Sequence, residues 1–343
     1  MRNTKSFFVV AFAIALLFSP AVLFAAGQGE MEEEQTVNLR LAHVQAESAP
    51  TGIGTERFAE LVEEYSDGTV TIEVFPASQL GSNAEIFSSV QTGAVDMSIT
   101  PFPLMADIVP EMMVYVAGYF FDNYEQQLTV FNHPDYGQSW NQRLVDDGGL
   151  RVVGNVLYGA RNLTTTDTAV YGPEDLAGLR LRAVPNPMSL AVARGLGGEP
   201  TSVAFAELFE ALRQGVVDAQ ENPLPTIAAN NFDEVQDYLM LTEHQLITLP
   251  WVINESAFQS LSESQQEALL RAAEEAGEYT TQLTLDAEAT LVDELEAGGM
   301  TVIGPEDGLQ IDVFRERVRA EVQSAFEDTW PEGLTEEILD LIS

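Results

Sequence analysis

The sequence predicts an α/β fold of two βαβ lobes, each built on a mostly parallel or mixed sheet. Three observations carry this. Period-2 runs and helical runs alternate between residues 37 and 100, the same alternation returns between 150 and 218, and one long helical pattern follows near 262–295. In the first lobe Val37–His43 alternates apolar and polar residues, as a half-buried strand does. Gly52–Tyr65 places Phe58, Leu61, Val62 and Tyr65 on one helical face and stops at Asp67-Gly68. Thr69–Phe75 alternates again and ends at Pro76. Ser82 with Glu85 has the spacing of a capping box for a helix through Val90, and Met97–Thr100 is a short apolar strand. Strand–helix–strand order is the pattern of a parallel sheet covered by helices.

The pattern repeats later: Leu150–Val156 and Leu179–Ala183 are strand-like, Met188–Arg194 is helical, and Pro200–Val203 is a short strand. Phe205–Gln214 carries Leu208, Phe209, Ala211 and Leu212 on one helical face, and the chain returns to a strand after Gly215. The long helix opens with Ser262 and Gln265 as a capping box, runs to about Leu295 and ends at Gly298-Gly299. At 1.5 Å per residue it reaches roughly 50 Å, about the length of two small lobes. Gly277 in its interior marks a bend.

The N-terminus reads as an export signal over residues 1–26: Arg2 and Lys5, the apolar run Phe7–Phe18, and a small-residue exit near Ala25-Ala26. That run is too short for a membrane span, so no direct membrane insertion is expected once the signal is removed. Residues 27–35 are a polar, acidic leader. The chain has 343 residues, 45% of them hydrophobic, enough to fill two cores. Without cysteine it has neither disulfides nor a residue for N-terminal lipid attachment.

The formal charge is −39, and after Lys5 every cation is an arginine. Such a surface repels nucleic acid and anionic lipid, which excludes functions that depend on a basic patch. It fits a saline habitat, where charge is screened within about 3 Å at 1 M salt, or a compositional bias. With three histidines and no cysteine, no transition-metal site and no cofactor is expected. In this background an arginine that looks buried is a candidate anion site.

The segments LRLAH…GTERFAELVEEYSDGTVTIEVFPASQLG, NVLYGARNLTTT, PEDLAGLRLRAVPNP, FAELFEALRQGVVDAQENP and EVQDYLMLTEH follow in order. From about Thr36 to the C-terminus this set resembles the DctP-like periplasmic solute-binding subunits of TRAP transporters, which deliver carboxylates to an ion-driven membrane transporter. The resemblance implies lobes joined by hinge strands, a long helix lying across both, and a ligand captured as the cleft shuts. On that pattern residues 36–158 with 248–287 form lobe I, and residues 159–247 with 288–343 form lobe II. The implied partners are a small organic acid and the membrane subunits, and the expected state is a monomer.

By the resemblance, Arg182 is the arginine that pairs with the ligand carboxylate. The chain departs from the pattern by Ala183, placed between that arginine and Val184-Pro185-Asn186. A guanidinium fork matches a carboxylate in a way that lysine cannot. Arg180 lies two positions away on the same strand face, and periodicity alone does not choose between them. Arg161 provides a second cation by the resemblance, with an ion pair between lobes as the alternative. Asn222, in a Q-E-N-P turn, contacts ligand by the resemblance, or serves the turn itself. Phe205 suits an apolar wall or the core, as does Tyr158. His43 closes the first strand, at the end where α/β lobes hold ligands. Thr100 and Phe102 fall where the family lines its pocket. Asn186 adds polarity, and with His43, Thr100 and Asn222 it suggests a hydroxylated sugar acid among the possible carboxylates. Trp251 is read as hinge or core, and His244 as structural.

An exported enzyme acting on a carboxylate is the rival from another class, but no G-x-S-x-G, H-E-x-x-H or Ser/His/Asp arrangement is present. A sensory ligand-binding subunit is a second rival that the chain does not separate from a transport subunit.

Overall fold

Two long strands run antiparallel through the middle of a single mixed sheet and decide the architecture. The computed structural model describes residues 35–343, so the expected signal segment and most of the acidic leader lie outside the described residues. In chain order the first elements are β1 (Val37–Ala42), α1 (Pro50–Tyr65), β2 (Val70–Phe75), α2 (Asn83–Gln91) and β3 (Met97–Ile99). Then come α3 (Phe102–Met105), α4 (Tyr124–Phe131), α5 (Ser139–Gly148) and the first long strand, β4 (Leu150–Thr165). The second half adds β5 (Arg180–Ala183), α6 (Pro187–Leu196), β6 (Glu199–Ser202), α7 (Leu208–Arg213), β7 (Ala219–Pro223) and α8 (Leu224–Ala229). The second long strand, β8 (Tyr238–Asn254), is followed by α9 (Glu255–Gln259), α10 (Glu263–Gly298), β9 (Thr301–Ile303), α11 (Ile311–Phe326) and α12 (Leu334–Ile342).

The sheet order is β2-β1-β3-β8-β4-β7-β5-β6, with β9 beside β8. Pairing is parallel within β2-β1-β3 and within β7-β5-β6, and antiparallel where β3, β8, β4 and β7 adjoin. The α/β expectation therefore holds, with the two βαβ patterns at opposite edges of one continuous sheet. The local cues explain the helix starts. Ser82 and Glu85 form the capping box of α2, and Ser262 and Gln265 that of α10. Helix α1 begins two residues earlier than its apolar pattern because Pro50 fits the first helical turn, where its missing N–H costs nothing.

The central pair β4–β8 was only partly visible in sequence. Strand β4 continues nine residues past Val156, and β8 spans 17 residues that alternation does not mark. Most of its residues are buried on both faces, so no polar side remains to produce the period. At 3.3 Å per residue each long strand reaches about 50 Å. Helix α10, 36 residues long, matches them at about 54 Å.

Helix α10 also repairs the backbone of β4. Register slips between Leu157 and Gly159 and between Arg161 and Leu163 disturb the ladder there. Thr281 Oγ1 accepts from Leu157 N at 3.2 Å, Thr284 Oγ1 donates to Leu157 O at 3.0 Å, and Glu288 accepts from Ala160 N at 2.9 Å. Gly159 has φ +123°, and a Cβ on it would lie 2.5 Å from Glu288 Oε1 and 2.9 Å from Pro223 Cβ. Gly277 does not interrupt α10; it is buried, and a Cβ there would sit 3.5 Å from Asn155 O. A Cβ would make ordinary contact there, so the approach of helix to strand does not demand the glycine, and the bend the sequence suggested is not seen.

Among the described residues no helix is long and apolar enough to cross a membrane, and no His/Cys/Asp/Glu group is arranged to hold a metal ion.

Candidate functional site

Arg182 stands apart from the other arginines. It lies on β5 between β6 and β7, with 1% of its surface exposed. Arg180, two residues earlier, is exposed and paired with Asp218 at 2.6 Å, which resolves the choice that periodicity left open. Among the described residues only Arg182, Arg271 and Arg319 lack a carboxylate within 4 Å. Arg271 stacks on the Tyr65 ring and Arg319 donates to Tyr119 O, both at the surface. Arg182 donates through Nε to Val203 O at 3.1 Å, and its Nη1 is buried with no hydrogen-bond partner. Burial, aided by repulsion from Arg161 and resisted by Glu221, lowers its pKa from 12.5 to about 10. It remains charged at neutral pH, an ion held out of water without a protein counter-ion.

Arg182 borders a cavity of about 190 Å³ that also takes in Arg161, Tyr158, Asn186, Phe205 and Asn222. Six of the nine residues singled out in sequence thus meet at one place. Each is positioned by a local reason. Tyr158 and Arg161 sit on β4 at its second and third register slips, Leu157–Gly159 and Arg161–Leu163. Asn222 lies on β7 opposite Asn162 and donates to Gln220 Oε1 at 2.6 Å. The Q-E-N-P segment is therefore strand and not turn, its proline closing β7 and opening α8. Asn186 caps α6 by accepting from Ser189 N at 2.9 Å. Phe205 begins a short 3₁₀ turn, where the sequence suggested a single helix, and packs edge-on against Phe232 at 6.2 Å. Tyr158 is buried, which raises its phenol pKa despite Arg161 and Arg182 nearby.

Arg161 is already committed. Its Nη2 donates to Glu221 Oε1 at 2.9 Å and to Glu221 O at 2.6 Å, and its Nε donates to Glu221 Oε2. Burial opposes ionisation of Glu221, but Arg161 and His244 outweigh it and hold its pKa at about 2. His244 is fully buried, 3.3 Å from Glu221 and 2.8 Å from Thr242 Oγ1. Arg161 is thus in an ion pair, but between adjacent strands β4 and β7 of the same expected lobe, not between lobes as the alternative reading had it.

The remaining three candidates are not at the cavity. His43 is fully buried, and burial, resisted by the Gln45 backbone, lowers its pKa to about 4. Thr100 shares a 2.5 Å hydrogen bond with Ser98, and Phe102 packs on Tyr115 with ring centroids 4.3 Å apart. Each misses by one residue. The cavity is lined instead by Val44 and Gln45 after β1, and by Pro101 and Pro103 after β3. The strand ends were legible; which residue of each connection faces the cleft was not. Trp251 is core, stacked on Phe58 at 4.7 Å.

Five polar contributors were missed in the sequence. Gln45 and Asn83 each keep a buried side-chain oxygen without a hydrogen-bond partner, and Ser82, Ser189 and Gln245 also line the cavity. Ser82 and Asn83 open α2, so the capping box that predicted the helix also marked this edge. The first residues of α2 and the cap of α6 both border the cavity, so two positive helix ends lie there. A buried, unpaired guanidinium with neutral acceptors and an aromatic wall is suited to hold a carboxylate whose carbon chain carries hydroxyls.

The family model for bacterial extracellular solute-binding protein family 7, DctP, matches residues 41–329. A solute-binding protein of Roseobacter denitrificans is 34% identical over 270 residues, covering 78% of this chain and 82% of that protein. The 2,3-diketo-L-gulonate-binding periplasmic protein YiaO of Escherichia coli is 28% identical over 299 residues, covering 86% and 89%. A solved TRAP periplasmic solute-binding protein from Roseobacter denitrificans with bound L-galactonate superposes at TM-score 0.81 with 31% identity, covering 90% of this chain and all of the other.

Proposed function

This chain belongs to family 7 of the bacterial extracellular solute-binding proteins, the DctP family, and from that premise we propose that its cleft captures a small organic carboxylate on Arg182 for delivery to TRAP membrane subunits. The observation that carries this reading is the Nη1 of Arg182, buried and unpartnered beside a cavity in an otherwise acid-saturated chain. A buried charge without a partner is costly, and a bidentate carboxylate offsets that cost only with good geometry and further hydrogen bonds. Tyr158 and Asn222 border the same space and supply such bonds; Arg161 also borders it, with its Nε and Nη2 donating to Glu221, which answers its charge.

Capture proceeds by closure of two lobes, residues 36–158 with 248–287 against 159–247 with 288–343. In support, the cavity is lined from both sets: Gln45, Asn83 and Leu104 from the first, Arg182, Asn186 and Phe205 from the second. The strands β4 and β8 pass between them and are the natural hinge. Residues 1–26 direct export, residues 27–35 form a leader, and the mature protein acts as an extracytoplasmic monomer without a cofactor.

A thermal-shift screen over an organic-acid library tests the reading. One or more carboxylates raise the unfolding temperature of the wild type, and ligand at 100 times Kd adds about 2.7 kcal/mol. Arg182→Lys binds the same acid at least about tenfold more weakly. Turnover of a bound acid, or binding indifferent to Arg182→Lys, would reject it.

A further inference from the structure

Apart from Arg182 and the start of α6, each positive feature bordering the cavity is answered by a carboxylate of the protein itself. The charge of Arg161 is answered by Glu221, whose carboxylate takes its Nε–Nη2 edge. The positive end of α2 is met by Glu85, whose carboxylate accepts from Ser82 N and Ser82 Oγ, both at 2.8 Å. The first turn of α6 carries no acid, and its cap Asn186 lies at the cavity with Arg182. One full positive charge is therefore left for a ligand. On the wall built by the β1–α1 connection and the start of α2, Gln45 Oε1 and Asn83 Oδ1 are buried without partners. An amide is neutral whichever way it is turned, so it satisfies a hydroxyl but does not neutralise a second carboxylate.

We infer that the site selects a polyhydroxylated acid bearing a single carboxylate over a dicarboxylate of the same carbon skeleton, and that Glu221 sets this preference by withholding Arg161. The inference rests on the carboxylate-capture reading above. A dianion would bring into the cavity one charge with no counter-ion, which is far costlier than an unmatched hydroxyl. Glu221 is a positioning residue here: it acts through Arg161 and not by touching the acid.

The test compares six-carbon aldonates with the aldarates of matching hydroxyl configuration, in the gluco, galacto and manno series, by calorimetry on the full mature chain. Wild type binds its best aldonate at least about tenfold more tightly than the matching aldarate. Glu221→Gln frees the Arg161 fork and shrinks or reverses that ratio by at least about tenfold, whereas Glu221→Asp keeps it. A merely structural role for Glu221 would weaken both acids together and leave the ratio unmoved. A wild type that binds the aldarate as tightly as the aldonate, or a folded Glu221→Gln with the wild-type ratio, overturns the inference while carboxylate capture stands. If Glu221→Gln does not fold, the wild-type ratio decides alone. Failure of every acid in the series and in the wider library to bind overturns the underlying reading, and the inference with it.

Discussion

Replacing Arg182 with methionine should make the ligand-free protein more stable while abolishing binding. Burial together with the neighbouring charges moves the Arg182 pKa from 12.5 to about 10, a figure that already counts the attraction of Glu221 and the repulsion of Arg161. At about 1.4 kcal/mol per pH unit, keeping this group charged inside the fold costs about 3 kcal/mol at neutral pH. Methionine fills a similar straight volume without charge, so this cost disappears. The loss on the other side is the 3.1 Å hydrogen bond from Nε to Val203 O, worth about 1 kcal/mol. The balance is a gain of about 2 kcal/mol, which for a chain of this size raises the thermal midpoint by about 4 °C. Calorimetric melting of wild type and Arg182→Met without ligand, then with the best acid from the screen, measures both halves. Ligand should stabilise the wild type and leave the variant unmoved. A variant that melts below the wild type would refute the reasoning, since the arginine would then be held by its own contacts and not kept, at a cost, for a ligand.

Two further outcomes follow from buried groups. His43 has a folded pKa of about 4 against an ordinary 6.5. Its neutral form is favoured in the fold, so its contribution is intact above pH 6.5 and is lost as pH falls from 6.5 to 4, about 3 kcal/mol in all. Urea midpoints of wild type and His43→Leu at pH 7, 5 and 4 should diverge over that window, and parallel curves would contradict the assignment. Gly159→Ala, with its +123° φ and a Cβ 2.5 Å from Glu288, should cost about 2 kcal/mol in urea unfolding. A change within about 0.5 kcal/mol would mean that β4 yields there more easily than its contacts imply.

Much of the molecule was legible before any coordinates. Alternation marked β1 and β2, an apolar run β3 and a strand-like segment β5, each to within a residue or two, and the capping boxes at Ser82 and Ser262 placed the starts of α2 and α10. These features are local: a strand with one wet face shows period 2, and a cap needs its partner three residues on. Strand β8 and the far half of β4 lack that signature because they are covered on both sides. The site divides along the same line. Arg182 was found by its scarcity and by the order of motifs around it, and Gln45 and Asn83 carried no sequence signal because a neutral amide after a strand is ordinary.

What the sequence alone determined is the α/β class, the two βαβ patterns, the long helix and the arginine strand, since each follows from side-chain periodicity and type within a few residues. Only the tertiary structure decided that Arg161 belongs to Glu221 while Arg182 has no acid of its own, and that Arg180 is a surface ion pair. Charge pairing is set by distance across strands 20 to 60 residues apart in the chain. No local pattern encodes which of many acids a given arginine will meet once those strands lie side by side.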